Sequence, residues 1–208
     1  MIPVAQAISL WMAPNSPHRL TACLTLLCLP ALAQERVDPK LSIPDVRGRM
    51  QRPFDPQGKT ASVVFFITND CPISNRYAPE IKRICSDFAS NARCYLDYVD
   101  PDLTAEQILK HTAEFGHGDY PAIRDARQLL VKAAGATVTP EVAVILPGGK
   151  IGYRGRIDNT YVTWGQARRE ATEKDLRTAL DAAVAGRPAA TPRTKAIGCY
   201  IPPPDIRK

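Results

Sequence analysis

Cys71 has the sequence surroundings of a reactive cysteine. It follows an apolar run, residues 61–67 (ASVVFFI), and precedes Pro72, a residue favoured in the first turn of a helix. Free backbone N–H groups at a helix start stabilise an anion, so a cysteine there can be a thiolate at neutral pH. Ser74 offers a hydroxyl donor to the sulfur, whereas the Asp70 carboxylate disfavours a second negative charge. Cys71 is therefore a candidate nucleophile, with a buried structural cysteine as the alternative.

A second signal is Thr139-Pro140, which stands directly before the apolar run 141–146 (EVAVIL). Proline does not fit inside a central strand, and at the start of one it marks a fixed peptide bond. The pattern alone leaves both the trans and the cis form open.

Residues 1–33 have the pattern of a secretory signal peptide. They contain no acidic residue, they include the apolar run 20–29 (LTACLTLLCL), and residues 31–33 form an A-x-A cleavage site. The run is shorter than the roughly 20 apolar residues that span a bilayer, and no later stretch reaches that length. We expect cleavage at this site and export to the periplasm or beyond the cell, with Met1 and Met12 both open as the true start.

The cysteines beyond the leader allow disulfides, since an exported chain meets an oxidising compartment. Cys85 is predicted on the sheet-facing side of a helix, and Cys94 opens the next strand. The two can therefore approach within the roughly 4.4 to 6.8 Å Cα separation of a disulfide. We predict this structural disulfide, with two buried thiols as the alternative. Cys199 is then left for Cys71, and the segment from Gly186 to Cys199 reaches about 40 Å when extended.

The remaining patterns predict an α/β domain. Strands are predicted at 61–67, 94–100, 141–146 and 150–154, and helices from Cys71 to near Asn91, over 104–115 and over 172–185. A β-α-β half followed by a hairpin and a helix is the order of the thioredoxin-like fold, a central mixed sheet flanked by helices. We assign this domain to residues 34–186 and a Pro-rich tail that carries Cys199 to residues 187–208.

Three stretches resemble the redoxin branch of the thioredoxin superfamily. This branch includes alkyl hydroperoxide reductases, thiol-specific antioxidant proteins and periplasmic thiol-disulfide oxidoreductases. The stretches are IPDVRG at 43–48, GKTASVVFFITNDCP at 58–72 and GATVTPEVAVILPGGKIGYRGRID at 135–158. The resemblance implies that Cys71 is the attacking cysteine and that Thr139-Pro140 is a cis bond. It also implies that Thr139 faces the sulfur and pairs with the backbone of a bound substrate.

Departures from the motifs of this superfamily bear on the reaction. Dithiol oxidoreductases have C-x-x-C, but Ser74 stands in the place of the second cysteine, so turnover needs another thiol. Peroxiredoxins have P-x-x-x-T-x-x-C, of which Thr68 and Cys71 match while Val64 replaces the proline. Copper-delivery proteins need C-x-x-x-C with a histidine, and Asn75 stands in the place of the second cysteine.

Composition and charge argue against several other classes. The formal net charge of +6 arises from 27 Lys and Arg against 21 Asp and Glu, but the basic residues are scattered, so nucleic acid is not an expected partner. The cysteines lack the paired C-x-x-C spacing of a zinc site, and His111 and His117 have the pattern of a solvated helix end. We therefore expect no metal, no cofactor and no membrane contact after removal of the leader.

Three functional hypotheses follow. The first is an exported thiol-disulfide oxidoreductase in which Cys71 attacks and Cys199, or an external thiol, resolves. Its partners are protein or small-molecule thiols and disulfides, and the supporting residues are Thr68, Ser74, Thr139 and Pro140. The second is a thiol peroxidase with peroxide as substrate, and the third is a non-catalytic thioredoxin-fold binding module.

Overall fold

The computed structural model describes residues 35–202. The predicted leader, residues 1–33, lies outside the described residues, as do residue 34 and residues 203–208. Among the described residues, none of the helices has the length and apolar character needed to cross a bilayer. The elements in chain order are β1 (Ile43–Pro44), β2 (Met50–Gln51), β3 (Ala61–Ile67), α1 (Pro72–Asp87), β4 (Ala92–Tyr98), α2 (Ala105–Glu114), β5 (Ala122–Arg124), α3 (Leu129–Ala134), β6 (Val138–Thr139), β7 (Glu141–Leu146), β8 (Lys150–Gly155), β9 (Tyr161–Thr163), β10 (Gln166–Ala167), α4 (Asp175–Val184) and β11 (Cys199–Tyr200).

A five-stranded mixed sheet forms the centre of the domain, in the order β5-β4-β3-β7-β8. β3 lies in the middle of the sheet, and all 7 of its residues are buried there, as the unbroken apolar run predicts. It pairs in parallel with β4 and antiparallel with β7. The predicted thioredoxin-like architecture, a central mixed sheet flanked by helices, is confirmed.

Helices cover both faces of the sheet because successive side chains of β3 point in opposite directions. Phe65 packs into a cluster that includes Ile81 of α1 and Leu176 of α4. Phe66 packs into a second cluster, which includes Leu130 of α3. The two apolar layers hold the ends of β3 and α1, and therefore Cys71, in fixed positions.

Helix α2 begins with a capping box. The Gln107 N–H donates to Thr104 Oγ1 at 3.2 Å, and the Thr104 N–H donates to Gln107 Oε1 at 2.8 Å. Together the two bonds satisfy donors that a helix start leaves free. The helix ends before Gly116, which has a φ of 68°.

Two predicted helices are shorter than expected. α1 ends at Asp87 rather than near Asn91, because the chain turns at Phe88 and enters β4 at Ala92, two residues before the predicted strand start. α4 begins at Asp175 rather than at Thr172, because the backbone N–H of Thr172 donates to Asn159 Oδ1 at 2.9 Å. The Asn159 side chain thus binds the backbone of the residue that was predicted to begin the helix.

The sequence patterns missed β5 and α3, which have 3 and 6 residues and are too short for a periodicity to develop. Asp125 starts α3: its carboxylate accepts the N–H groups of Leu129 at 2.7 Å, Leu130 at 2.7 Å and Val131 at 3.3 Å. These bonds satisfy the free donors of a helix start that has no side-chain cap of its own.

The C-terminal tail lies along the domain instead of extending from it. The Arg154 N–H donates to the Pro192 carbonyl at 3.0 Å, and the Thr194 N–H donates back to the Arg154 carbonyl at 3.1 Å. Further along, β11 pairs with β6, and the side chain of Ile201 is buried in the second cluster. The tail therefore reaches β6, which carries Thr139, and forms a separate two-stranded sheet with it.

Asp97 of β4 is completely buried, and neither of its carboxyl oxygens has a hydrogen-bond partner within residues 35–202. Burial, and the charge of Asp125, raise its pKa well above the ordinary value. The folded protein therefore binds a proton that the unfolded chain, with an Asp pKa of about 3.9, has lost. The contribution of Asp97 to the free energy of unfolding is therefore greatest in acid, and it declines as pH rises towards the folded-state pKa of this group.

We expect Asp97→Asn to raise the free energy of unfolding by about 1–3 kcal/mol at pH 8, because an amide carries no charge and needs no proton uptake when it is buried on folding. The same change should flatten the decline of stability between pH 5 and pH 8. Chemical denaturation at several pH values measures both effects. Asp181→Asn, at an exposed position of α4, is the control and should change neither; equal behaviour of the two variants would contradict the interpretation.

Candidate active site

Cys71 is the N-cap residue of α1, and Pro72 is the first helical residue, as predicted. The backbone N–H of Ser74 donates to Cys71 Sγ at 3.5 Å. The sulfur thus sits among the free donors of the helix start, where a negative charge is stabilised. Its side chain is only 1% exposed.

Thr139-Pro140 meets this sulfur from the opposite side. The peptide bond between them is cis. In its thiol form, Cys71 donates to the Thr139 carbonyl oxygen at 3.1 Å. The predicted cis bond and the predicted closeness of Cys71 to Pro140 are both confirmed.

Cys199 reaches the same place through the pairing of β11 with β6, in which it lies opposite Thr139. Its thiol acts on the sulfur of Cys71 and lowers the pKa of Cys71, and both cysteines are free thiols in this structure. The tail therefore brings Cys199 to Cys71, the cysteine for which the sequence left it once Cys85 was paired with Cys94.

The electrostatic effects on the two sulfurs have opposite signs. Burial acts to raise the pKa of the Cys71 thiol, but hydrogen bonds from Cys199, Ser74 and Thr139 outweigh it and hold that pKa below its ordinary value. Burial, the nearby Cys71 sulfur and the Asp70 charge raise the pKa of Cys199 to about 12. When the pair carries one proton, the proton is therefore held on Cys199 in preference to Cys71.

Gly198 permits this arrangement. A Cβ atom at position 198 would lie 2.1 Å from the Thr139 carbonyl oxygen, which is far inside van der Waals contact. Only glycine lets the tail backbone approach β6 closely enough to place Cys199 beside Cys71. No local pattern indicates this role of Gly198, because the clashing atom belongs to a residue far away along the chain.

Comparisons with known proteins were made by sequence and by structure. No family model and no curated protein matches the sequence. An uncharacterized conserved protein from Geobacillus kaustophilus is 26% identical, with a TM-score of 0.71 over 81% of this chain and 90% of that one. A hypothetical protein from Sinorhizobium meliloti 1021 is 25% identical, with a TM-score of 0.68 over 82% and 94%. A putative thioredoxin from Neisseria meningitidis is 22% identical, with a TM-score of 0.56 over 73% and 91%.

The likeness to the putative thioredoxin shows that the chain has the thioredoxin-like fold. The stretches that resemble the redoxin branch of the thioredoxin superfamily fall at β1, at β3 with the start of α1, and at β6 through β8. These elements place the helix start on one side of Cys71 and the cis-proline on the other. The place of the second cysteine of a C-x-x-C motif is taken by Ser74, which is 3% exposed.

Thr68 lies near the site but does not contact the sulfur. Its hydroxyl donates to Asp70 Oδ1 at 3.0 Å, which ties down the loop between β3 and α1. The supporting role of Thr68 in the site stays a prediction. Thr68 would support the site by positioning Asp70 and not by contacting Cys71. Val64, which replaces the peroxiredoxin proline, is a buried residue of β3.

Cys85 and Cys94 are buried neighbours, on α1 and at the start of β4. Burial and the contact with Cys94 raise the pKa of Cys85 well above the ordinary value, so the shift at Cys85 is opposite in direction to the shift at Cys71. Both are thiols in this structure, and their disulfide stays a prediction.

We expect the oxidised protein to contain the Cys85–Cys94 bond, which closes a short loop and stabilises the fold by about 2.5–3 kcal/mol in the chain-entropy model. A Cys85→Ala, Cys94→Ala variant should melt at a lower temperature, while the alkylation rate of Cys71 stays unchanged. A peptide map that joins either residue to Cys71 would refute the assignment and make this pair a redox partner.

His111 and His117 are buried, not solvated, and that expectation was wrong. His117 Nε2 lies 2.9 Å from the Ala78 carbonyl. The sequence suggested solvent exposure because the surrounding residues are polar, but distant backbone and side-chain groups bind both nitrogens of His111 and Nε2 of His117. His117 Nδ1 is buried without a hydrogen-bond partner among residues 35–202. Among residues 35–202, no group of three or more His, Cys, Asp or Glu side chains is arranged to hold a metal ion.

A hydrogen-bonded chain missed by the sequence patterns links His111 to the site. Tyr98 Oη lies 2.7 Å from His111 Nδ1, and His111 Nε2 lies 2.9 Å from Asn75 Oδ1. The Asn75 amide in turn donates to the Asn69 carbonyl at 2.8 Å, two residues before Cys71. Since the amide oxygen accepts from Nε2, the ring carries its proton there and Nδ1 accepts from the tyrosine. This chain fixes the loop that leads into α1.

Proposed function

We propose that this protein is an exported thiol-disulfide oxidoreductase whose redox pair is Cys71 and Cys199. The observation that carries the proposal is the contact between the two thiols, one shifted towards the thiolate and the other towards the thiol. Cys71 is the nucleophile of the pair, and Cys199 takes the resolving place that Ser74 leaves empty. Export is proposed from the leader pattern at residues 1–33.

The pair would cycle between a dithiol and an internal disulfide. In the reduced form, helix-start donors and the Cys199 thiol stabilise the Cys71 thiolate. Stabilising the reduced form raises the reduction potential of a disulfide, because the potential measures the relative free energies of the two forms. The arrangement therefore favours a protein that oxidises other thiols.

Thiol peroxidase activity is the alternative function for this fold. The groups that act on the Cys71 sulfur are Cys199, Ser74 and Thr139, and none of the hydrogen bonds among residues 35–202 joins an arginine to this sulfur. A peroxide therefore has no charged donor at the sulfur to polarise its O–O bond. This observation favours disulfide exchange.

The test mixes the fully reduced protein with either hydroxyethyl disulfide or hydrogen peroxide and counts alkylatable thiols over time. We expect the disulfide to remove two thiols, Cys71 and Cys199, faster than equimolar peroxide does. Faster oxidation by peroxide, with sulfenic acid at Cys71, would support the peroxidase instead. No oxidation of Cys71 by either reagent would support the non-catalytic binding module.

A further inference from the structure

Asn75 stands one turn into α1 and holds the backbone on both sides of Asp70. Its N–H donates to the Cys71 carbonyl at 3.0 Å, which is an ordinary bond of the helix. Its side-chain amide donates to the Asn69 carbonyl at 2.8 Å, in the loop before the helix. The second bond depends on the side chain alone, so the position of the loop depends on how this amide is oriented.

This loop leads directly into the reactive cysteine. Cys71 is the N-cap residue, and its Sγ accepts the Ser74 N–H at 3.5 Å on one side. On the other side the sulfur lies 3.1 Å from the Thr139 carbonyl oxygen. Hydrogen bonds weaken steeply when their alignment is lost. Release of the Asn69 carbonyl, two residues before the cap, would therefore weaken the support that the helix start gives to a thiolate.

The orientation of the Asn75 amide follows from its two contacts. An amide turned by half a turn exchanges its donor and its acceptor, so the contacts must decide between the two orientations. The Asn69 carbonyl can only accept, which places the amide nitrogen on that side and Oδ1 on the other. His111 Nε2 lies 2.9 Å from this oxygen and must donate to it. The arrangement that satisfies both contacts therefore requires a proton on Nε2.

The position and the tautomer of the His111 ring are fixed by its own neighbours. Tyr98 Oη lies 2.7 Å from Nδ1, so the hydroxyl donates there and the ring proton stays on Nε2. The Tyr98 side chain is completely buried in β4, and the Phe115 ring centroid lies 4.5 Å from that of His111. Burial lowers the pKa of His111, which keeps the ring neutral near neutral pH. The ring is thus a fixed link between the sheet and the Asn75 amide.

We propose that His111 is a positioning residue for disulfide exchange: through Asn75, it holds the loop before α1 so that the Cys71 sulfur keeps its place among the helix-start donors. The inference rests on the proposed function, because it concerns the nucleophile of that reaction. It goes beyond that function by giving a role in it to a residue of α2 whose hydrogen bonds go to Asn75 and Tyr98.

Two variants cut the link at different places. His111→Phe keeps a ring at this position but removes both ring nitrogens. Asn75→Leu keeps the approximate shape of a half-buried side chain but removes its amide. In either variant the pH midpoint of Cys71 alkylation should rise by about half a pH unit to one pH unit, and the rate below the midpoint should fall about threefold to tenfold.

The alkylation rate is measured on the fully reduced protein over a range of pH, and it is read from the Cys71 peptide by mass spectrometry. An unchanged midpoint in either variant would overturn the proposal. Melting temperatures of both variants, measured in parallel, show that the folded protein is being compared in each case.

The doubly altered protein, His111→Phe with Asn75→Leu, tests whether the two residues act as one unit. Residues that act through a single link have non-additive effects, so the double variant should have about the same midpoint as either single variant. A midpoint raised by the sum of two separate shifts would mean that His111 reaches the site by another route, against the proposal.

His117→Phe is the matched control for a general loosening of the fold. It also removes a buried ring whose Nε2 bonds to α1, but that bond goes to the Ala78 carbonyl, further along the helix from the loop. We expect a lower melting temperature and an unchanged midpoint for Cys71. If this variant raises the midpoint as much as His111→Phe does, loosening of α1 explains the effect and the proposal fails.

His111→Gln is the conservative variant that tests the donor itself. Its amide offers Asn75 an N–H donor at a similar distance from the backbone. We therefore expect this variant to restore most of the alkylation rate that His111→Phe loses. A midpoint equal to that of His111→Phe would show that the donor at this position is not what holds the loop.

The unaltered protein separates this inference from the proposed function. If its Cys71 alkylates with the profile of an unstructured cysteine, the proposed function fails and the inference fails with it. If its midpoint is low and the Cys71–Cys199 disulfide forms, but the variants leave the midpoint unchanged, the proposed function stands and the role of His111 alone is refuted.

Discussion

Replacing either Cys71 or Cys199 by serine is expected to slow catalysed disulfide exchange by roughly two orders of magnitude or more, because one sulfur alone cannot form the internal disulfide. Cys71→Ser removes the thiolate that the helix start stabilises. Cys199→Ser removes the second sulfur of the pair. Turnover of a peptide disulfide with a thiol reductant measures both effects.

Cys85→Ser is the matched control for these two variants. It also removes a buried cysteine, but one on the far part of α1, and we expect it to keep the exchange rate within about twofold. Its melting temperature should fall, since it breaks the predicted Cys85–Cys94 bond. Full activity in Cys199→Ser would contradict the assignment of the tail cysteine as the resolving sulfur.

Gly198→Ala is expected to disrupt the site without altering any sulfur. The new Cβ would lie 2.1 Å from the Thr139 carbonyl oxygen, so β11 must move away from β6. Loss of the Cys199 hydrogen bond should bring the pKa of Cys71 back towards its ordinary value and slow formation of the internal disulfide by about tenfold. Alkylation rate against pH, read out on the Cys71 peptide, measures the first effect.

Gly118→Ala provides the control, since nothing lies within 4 Å of a Cβ at that position. Its alkylation profile and oxidation rate should match those of the unaltered protein. If Gly198→Ala behaves in the same way, the close approach of the tail to β6 is not what sets the properties of Cys71.

The parts of the fold that the sequence predicted have local causes. The seven-residue apolar run of β3 can only be a buried strand, and Thr104 with Gln107 specifies the start of α2 through neighbouring backbone groups. Cys71 and Pro72 likewise show a helix start in adjacent residues. The cis form of Thr139-Pro140 came from the resemblance, because the residues alone allow both forms.

The parts that the sequence could not predict depend on distant partners. β11 has 2 residues, and its pairing with β6 is decided by contacts made along the whole tail. The polar surroundings of His111 suggested solvent, but Tyr98 and Asn75 satisfy the ring inside the protein. The direction of the Cys71 pKa shift could not be predicted either, because the Cys199 thiol that lowers this pKa arrives from the other end of the domain.

A disulfide map of the oxidised protein tests the central claim most directly. The chain is oxidised with hydroxyethyl disulfide, digested under acidic conditions that prevent exchange, and examined by peptide mass spectrometry with and without reduction. We predict that the Cys71 peptide is joined to the Cys199 peptide. In the Gly198→Ala protein, this bond should be absent under oxidising conditions in which the Cys85–Cys94 bond still forms. A map in which Cys71 stays a free thiol while Cys199 is oxidised elsewhere, or in which Cys71 is joined to Cys85 or Cys94, would contradict it.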